Sequence, residues 1–383
     1  MKQYSFTDCV EIAGSSCGRF EGEKWYVSTG AVNVDHIENK DVEIVCYDEK
    51  PSRANLLVES GDVLFAKMQG TKKTLLIDDE LAQHVYSTGF CSVRPKPQIL
   101  TERCLYHLLT SETFLRQKDK NCSGATQKAV TNAGLEKIMI KVPEIVDQDA
   151  ISERLDKLVL MINMRQKELK ALDEIIKARF IELFGNIIQN DKQWPVLRFS
   201  DITSSRLGKM LDTKQQTGQR SFPYLANFNV QWFKLELENL NQMDFSEADQ
   251  EEFKLEEGDL LVCEGGEIGR CAIWHNEIQP CYFQKALHRV RCNQQIILPD
   301  YLAWWFQYNC EHKGFSAIEG AKATIAHLPG AKLKVLPVVT PPLVLQSQFA
   351  VFVHQVDKLK AMEQKCLEKL QLLFDSLMQK YFG

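Results

Sequence analysis

The chain carries one ordered set of local features twice, the second set trailing the first by close to 198 residues. Gly61-Asp62-Val63-Leu64 returns as Gly258-Asp259-Leu260-Leu261 at a shift of 197, and Ala125-Thr126 returns as Ala323-Thr324 at 198. Pro143, which closes an apolar run, returns as Pro341 at 198. Asp156-Lys157-Leu158 returns as Asp357-Lys358-Leu359 at 201, and Phe184-Gly185 as Phe382-Gly383 at 198. A long period held in constant order marks a domain duplication, since solenoid units are far shorter. A chain of 383 residues has room for two such units, each with its own core. Two similar units imply two similar tasks at a fixed separation.

Each half has the same layout. Short β-rich runs come first: Trp25-Tyr26-Val27, Val42 to Cys46 and Val63 to Ala66, then Phe222 to Leu225, Leu260 to Cys263 and Cys271 to Trp274 in the second half. Gly, Asn and Asp punctuate them as turns require. A helical stretch follows, Leu105 to Gln117 and Tyr301 to Tyr308, then a small-residue loop, an apolar strand ending at proline, and a long helix. The fold class expected is α+β, with two similar globular domains separated by two long helices.

The helices give the clearest periodicity. Ile151, Leu155, Leu158, Ile162, Arg165, Leu169, Leu172, Ile176, Arg179 and Leu183 alternate steps of four and three. Phe349, Phe352, Val356, Leu359, Glu363, Cys366, Leu370, Leu373, Leu377 and Lys380 do the same, and eight of ten positions are apolar in each set. Sustained 3-4 spacing is a coiled-coil seam. Two matched seams in one chain predict an antiparallel pair, with each helix running about 33 residues or ~50 Å. Leu155, Leu158, Ile162, Leu169, Leu172 and Ile176 are expected to interface with Val356, Leu359, Leu370, Leu373 and Leu377. Apolar flanks beside the seam (Met161, Ile175, Phe180; Met362, Leu367, Phe374) suggest a further surface for a partner to cover.

Composition excludes several classes. No apolar run is long enough to span a bilayer, and the N-terminus lacks the apolar stretch of a signal peptide. Twelve scattered cysteines without a C-x-x-C pair read as reduced and cytoplasmic. Cys263, Cys271, Cys281 and Cys292 fall near His275 and His288, but their spacing of ten or so does not match zinc loops, so they read as buried thiols. Net charge is −5, yet residues 244–259 alone carry −7 and the rest +2. That acidic stretch reads as a solvated face turned away from any polyanion. The signals of catalysis are missing. Pro341-Pro342 follows Thr340 and precedes Leu343, unlike a methyltransferase motif, and no G-x-x-x-x-G-K-[ST] loop occurs.

This doubled order resembles the specificity subunit of type I restriction-modification enzymes. The resemblance covers the whole chain. It is carried by the two Gly-Asp strands, by Gly124-Ala125-Thr126-Gln127-Lys128 with its degenerate partner Ala321-Lys322-Ala323-Thr324, by the Val142-Pro143 and Pro341-Pro342 strand ends, and by Leu183-Phe184-Gly185 and Tyr381-Phe382-Gly383. It implies target-recognition domains at 1–146 and 192–342 and coiled-coil helices at 147–191 and 343–383. It implies that each domain reads half of a bipartite double-stranded DNA site, while the helices set the spacer. It further implies two docked modification (methyltransferase) subunits and joining restriction subunits, with S-adenosylmethionine, ATP and Mg on those partners and no cofactor in this chain.

Reading a split site independently calls for two base-reading surfaces at fixed separation, because major grooves on one face of a duplex recur every ~34 Å. Base readout needs Arg, Lys, Asn and Gln on loops. The first unit offers Lys67, Gln69, Lys72 and Lys73 after its repeated strand, and the second offers Arg270 at the equivalent place with Arg206, Lys209 and Lys214 earlier. The scaffold repeats while these loops diverge, as reading loops should. Two other readings remain: a self-contained two-domain nuclease dimerised by its coiled coil, and a coiled-coil scaffold with no nucleic-acid role.

Overall fold

The computed structural model describes residues 2–125, 127–211, 216–315 and 327–383. The chain forms two compact units, Met1–Glu168 with Glu363–Gly383, and Leu169–Met362. Each is mixed α and β.

In the first unit an antiparallel four-stranded sheet runs in the order Thr74–Leu76, Val63–Ala66, Phe90–Pro95, Val10–Ala13. A second sheet orders Ser15–Ser16, Ala54–Leu57, Val85–Ser87, Glu23–Val27 and Glu43–Cys46. The run Val63-Leu64-Phe65-Ala66 is apolar throughout because both of its faces are buried. Val63 and Phe65 join one core and Leu64 and Ala66 another, as the period of two along a strand dictates. In the second unit the corresponding sheet orders Cys271–Ile273, Leu260–Cys263, Leu287–Cys292, Thr203–Leu207. Leu260 and Val262 enter one core there, and Leu261 and Cys263 the other.

The repeated Gly-Asp now has a physical cause. Gly61 and Gly258 turn the chain into the strand at φ +88° and +85°, a region that only glycine enters freely. The aspartate behind each is buried. Asp62 accepts from Glu59 N at 3.0 Å, Ser92 Oγ at 3.2 Å and Arg94 Nε at 2.7 Å. Asp259 accepts from Glu256 N at 2.8 Å and Arg291 Nε at 2.7 Å.

The long helices are Ile145–Phe184 and Leu343–Phe382, forty residues each and longer than the seam alone required. A buried glutamine anchors the first turn of each. Gln148 Nε2 donates to Ile99 O and Pro143 O while its Oε1 accepts from Thr101 N. Gln346 makes the same three bonds to Ile296 O, Pro341 O and Leu298 N. Gly185 ends the first helix at φ +73°, the left-handed cap that glycine favours.

Within each unit the helices run antiparallel. In the first, Ile151 and Leu155 share a core with Met378, Tyr381 and Phe382, and Arg165 Nη1 reaches Glu363 at 2.9 Å. In the second, Phe180 packs on Phe349 at 5.4 Å between ring centroids, Leu172 lies against the same core, and Lys360 meets Asp173 at 2.6 Å. Leu155, Leu158, Ile162, Ile176 and Val356 are buried in the seam, and Leu169, Leu172, Leu370 and Leu377 are half-buried.

Two seam positions are corrected. Leu359 and Leu373 are 50% and 48% exposed. Val353, Phe374 and Met378, each one residue beyond a predicted seam position, join Phe349 and Val356 on the packed face. A straight α-helix drifts ~20° per heptad from a strict seven-residue repeat, so the face leaves the heptad positions. The same drift corrects the flank: Phe180 is in the core and Phe374 packs on one, whereas Met161, Ile175 and Met362 are exposed. The stretch expected as one helix from Leu105 to Gln117 is two helices, Glu102–Thr110 and Glu112–Lys120. Ser111 divides them, its hydroxyl accepting from Phe114 N to cap the second. Among the described residues no helix is long and apolar enough to cross a membrane.

Candidate nucleic-acid interface

The segment 67–73 joins two antiparallel strands of the first unit, Val63–Ala66 and Thr74–Leu76. It is laced to the stretch after Gly124-Ala125. Val130 N donates to Lys67 O and Gln69 N to Lys128 O, each at 3.0 Å, and Met68 bridges Ala129. Two features far apart in sequence thus form one surface. Thr126 lies outside the described residues. In the second unit Gly265 bridges His327 and Leu328 N donates to Glu264 O at 2.6 Å, so the equivalent loop is laced in the same way. The Ala321–Thr324 segment lies outside the described residues.

The side chains differ in availability. Gln69 and Lys72 are exposed, and Lys67 and Lys73 half-buried. Lys73 Nζ donates to Thr29 O at 2.6 Å, which turns it into the scaffold. Lys72 borders a cavity of about 510 Å³ with Asp35, Tyr106 and His107. His107 is buried, with Nε2 2.6 Å from Asp156 Oδ1, and Arg103 donates to the same carboxylate. Burial pulls the Asp156 carboxyl upward, but these two hydrogen bonds outweigh it and hold it below its usual range.

One residue carried no signal in the sequence. Lys118, in the helix Glu112–Lys120, is fully buried. Its ammonium donates to Ala66 O at 3.4 Å, Met68 O at 3.0 Å and Thr71 O at 2.8 Å. A lysine near a helix end ordinarily reads as solvated, and only the tertiary contact reveals otherwise.

In the second unit the expected readers are already engaged. Arg270 Nη2 donates to Asn227 O at 3.2 Å, and its Nε is buried with no acceptor among the described residues. Arg206 pairs with Glu252 and lies over the Phe253 ring. Lys209 meets Asp249 Oδ2 at 2.6 Å and Asp244 O at 2.8 Å. Lys214 lies outside the described residues. The acidic stretch 244–259 is therefore not a free solvated face. Eight close carboxylates repel one another, and cations relieve that: Arg220 meets Glu247 at 3.0 Å and Arg291 meets Glu256 at 3.1 Å.

Cys263, Cys271 and Cys281 are buried and Cys292 is half-buried. Burial pushes the Cys281 and Cys292 thiols up to about 12, which disfavours the thiolate a metal requires. Among the described residues no group of three or more His, Cys, Asp or Glu is placed to hold a metal.

Two α+β units with a matched scaffold and loops of unrelated sequence define a duplicated two-unit protein. A family model described as the type I restriction modification DNA specificity domain matches residues 11–174 and again 191–372. The chain belongs to that family. It is 20% identical over 377 residues to the type I restriction enzyme EcoKI specificity subunit of Escherichia coli K12, covering 92% of this chain and 80% of that one. Its fold is similar to that of the type I restriction-modification S subunit from M. genitalium, with a TM-score of 0.59 and 13% identity over 100% of this chain and 96% of that one. It is also similar to a chain from a structure addressing complex assembly and conformational transition of the type I R-M system, with a TM-score of 0.58 and 16% identity over 99% and 97%. The chain is thus a DNA-specificity subunit, not itself catalytic, rather than a self-contained nuclease or a scaffold without a nucleic-acid role.

Proposed function

We propose that each unit reads one half of a bipartite double-stranded DNA site, and that the shared helices fix the spacer. Residues 1–146 and 192–342 serve as recognition domains, and 147–191 and 343–383 as the helices. One observation carries this reading. The pairs Asp62–Arg94 and Asp259–Arg291, each on a buried carboxylate, hold the same strand in both units, while the loops that follow, 67–73 and 264–270, keep equivalent backbone bonds but share no residue at matching positions in sequence. A scaffold that repeats under loops that do not is what two different half-sites require.

Specificity subunits of this family work with DNA and with modification and restriction subunits. We assign two modification subunits to the exposed apolar positions of the helices, among them Met161, Met164, Leu359, Met362 and Leu373. S-adenosylmethionine, ATP and Mg belong to the partner subunits.

The test is a domain exchange in the assembled methyltransferase. Replacing 1–146 with the corresponding domain of another specificity subunit should change one half of the methylated motif and leave the other. Replacing 192–342 should do the reverse. A single exchange that alters both halves would overturn the modular reading.

A further inference from the structure

We infer that Lys118 is the positioning residue of the first unit's reading loop, an internal cation that sets the loop's shape and so its base preference. This rests on the proposal that residues 67–73 read DNA.

The geometry is specific. An ammonium has three protons and no acceptor, and Lys118 spends all three on carbonyls of one short segment, those of Ala66, Met68 and Thr71. Asp119 Oδ1 lies 3.3 Å away as a counter-charge. With those carbonyls drawn inward, the side chains of Gln69 and Lys72 remain exposed. From the other side the loop is held by Gln69 N on Lys128 O at 3.0 Å. The backbone is thereby fixed on both sides of the residues that would meet DNA.

Burying an ammonium is costly, and apolar packing alone would serve a core better. The duplication supplies the comparison. The shift of 197 that relates Asp62 to Asp259 and Arg94 to Arg291 places Phe315 opposite Lys118. Phe315 is also buried, at 2% exposure, and packs on Trp305 and Phe306. A Cβ at Gly269 would come 3.2 Å from its ring, so the second loop is seated by apolar contact. The second loop is thus met by an aromatic ring from the turn after its helix, and the buried cation answers to the first loop. A buried ammonium with all three donors engaged selects one arrangement of its carbonyls where apolar packing tolerates several.

The experiment is Lys118→Met in the complete methyltransferase complex, which keeps the side-chain length and removes the donors. Methylation is read on a library of sites randomised in both halves. Discrimination in one half-site should fall about tenfold and the other half should be unchanged. The variant complex should still assemble and unfold in one cooperative transition, so that a lost half-site preference is not lost folding. Amide exchange at Gln69 and Thr71 should quicken by about tenfold. Lys118→Gln, which retains two donors, should fall between. Unchanged preference in both halves, or a loss equal on all sequences, would overturn the role. So would failure of both variants to fold, since Lys118 would then be a stability element. Gln69→Ala and Lys72→Ala run in parallel. If these leave preference and affinity untouched, the reading-loop assignment itself fails; if they change either one and Lys118→Met changes nothing, only the role of Lys118 fails.

Discussion

Arg94 donates through Nε to the buried carboxylate of Asp62 at 2.7 Å, and Arg291 meets Asp259 at the same distance in the other unit. The pair fastens the turn before the central strand to the strand beside it. Asp62→Ala would strand the Glu59 amide and loosen Arg94, whose side chain is 42% exposed and can rehydrate. The expected loss is about 2–3 kcal/mol, at the lower edge for a broken buried pair. Denaturant unfolding in a double-mutant cycle with Arg94→Ala checks it. Strictly additive losses would show that the two residues do not act together.

Gln346 satisfies three backbone groups at the start of the second long helix, and Gln148 does so for the first. Gln346→Leu keeps the bulk but leaves those groups unpaired in a buried site. Stability should fall by about 2–4 kcal/mol, with Gln148→Leu alike. If both variants melt like the parent, the glutamines do not anchor the helices.

Gln69 and Lys72 should separate by kind of contact. A glutamine amide can pair with adenine N6 and N7, so Gln69→Ala should cost about 1–3 kcal/mol and relax one position. Lysine is a point charge suited to phosphate. Lys72→Ala should weaken all sequences alike and reduce the slope of log K against log salt by about one. A salt titration of the assembled complex on matched and mismatched duplexes distinguishes the two. A uniform loss from Gln69→Ala would reject its base contact.

His288 links stability to pH. Burial lowers its pKa below the ordinary 6.5, although its bond to Leu328 O opposes the shift. A folded value below the unfolded one means the unfolded chain takes up the proton first. The contribution is therefore complete above pH 6.5 and is lost as pH falls from there through the folded value. Unfolding followed from pH 8 to 5 should show a decline that His288→Gln flattens. An equal decline in both proteins would assign it to other groups.

The exposed helix face predicts a separation of folding from assembly. Leu359→Glu and Leu373→Glu change side chains already half in water, so stability should move by less than about 1 kcal/mol. Binding to the modification subunit should weaken by about a hundredfold if these positions lie central to its footprint. Titration calorimetry measures this, with buried Val356→Glu as the variant expected to unfold. Undiminished binding would place the subunit on another face.

What was legible in the sequence is what local chemistry and periodicity enforce. Gly61 and Gly258 stand where the backbone needs positive φ, apolar four-residue runs mark strands buried on both faces, and 3-4 spacing marks paired helices. Their doubled order yielded both the architecture and the family resemblance. The tertiary structure alone decided which polar side chains are free. Lys118 and Lys72 look alike along the chain, yet one is sealed among three carbonyls and the other lies exposed. Arg206 and Lys209 resemble base readers until the acidic stretch is seen folded against them. Leu359 and Leu373 hold heptad positions, but a straight helix turns them away from the packed face. Hydrogen-bond partners and burial are set by residues 40–50 positions away in these cases, and no local pattern encodes a contact across such a separation.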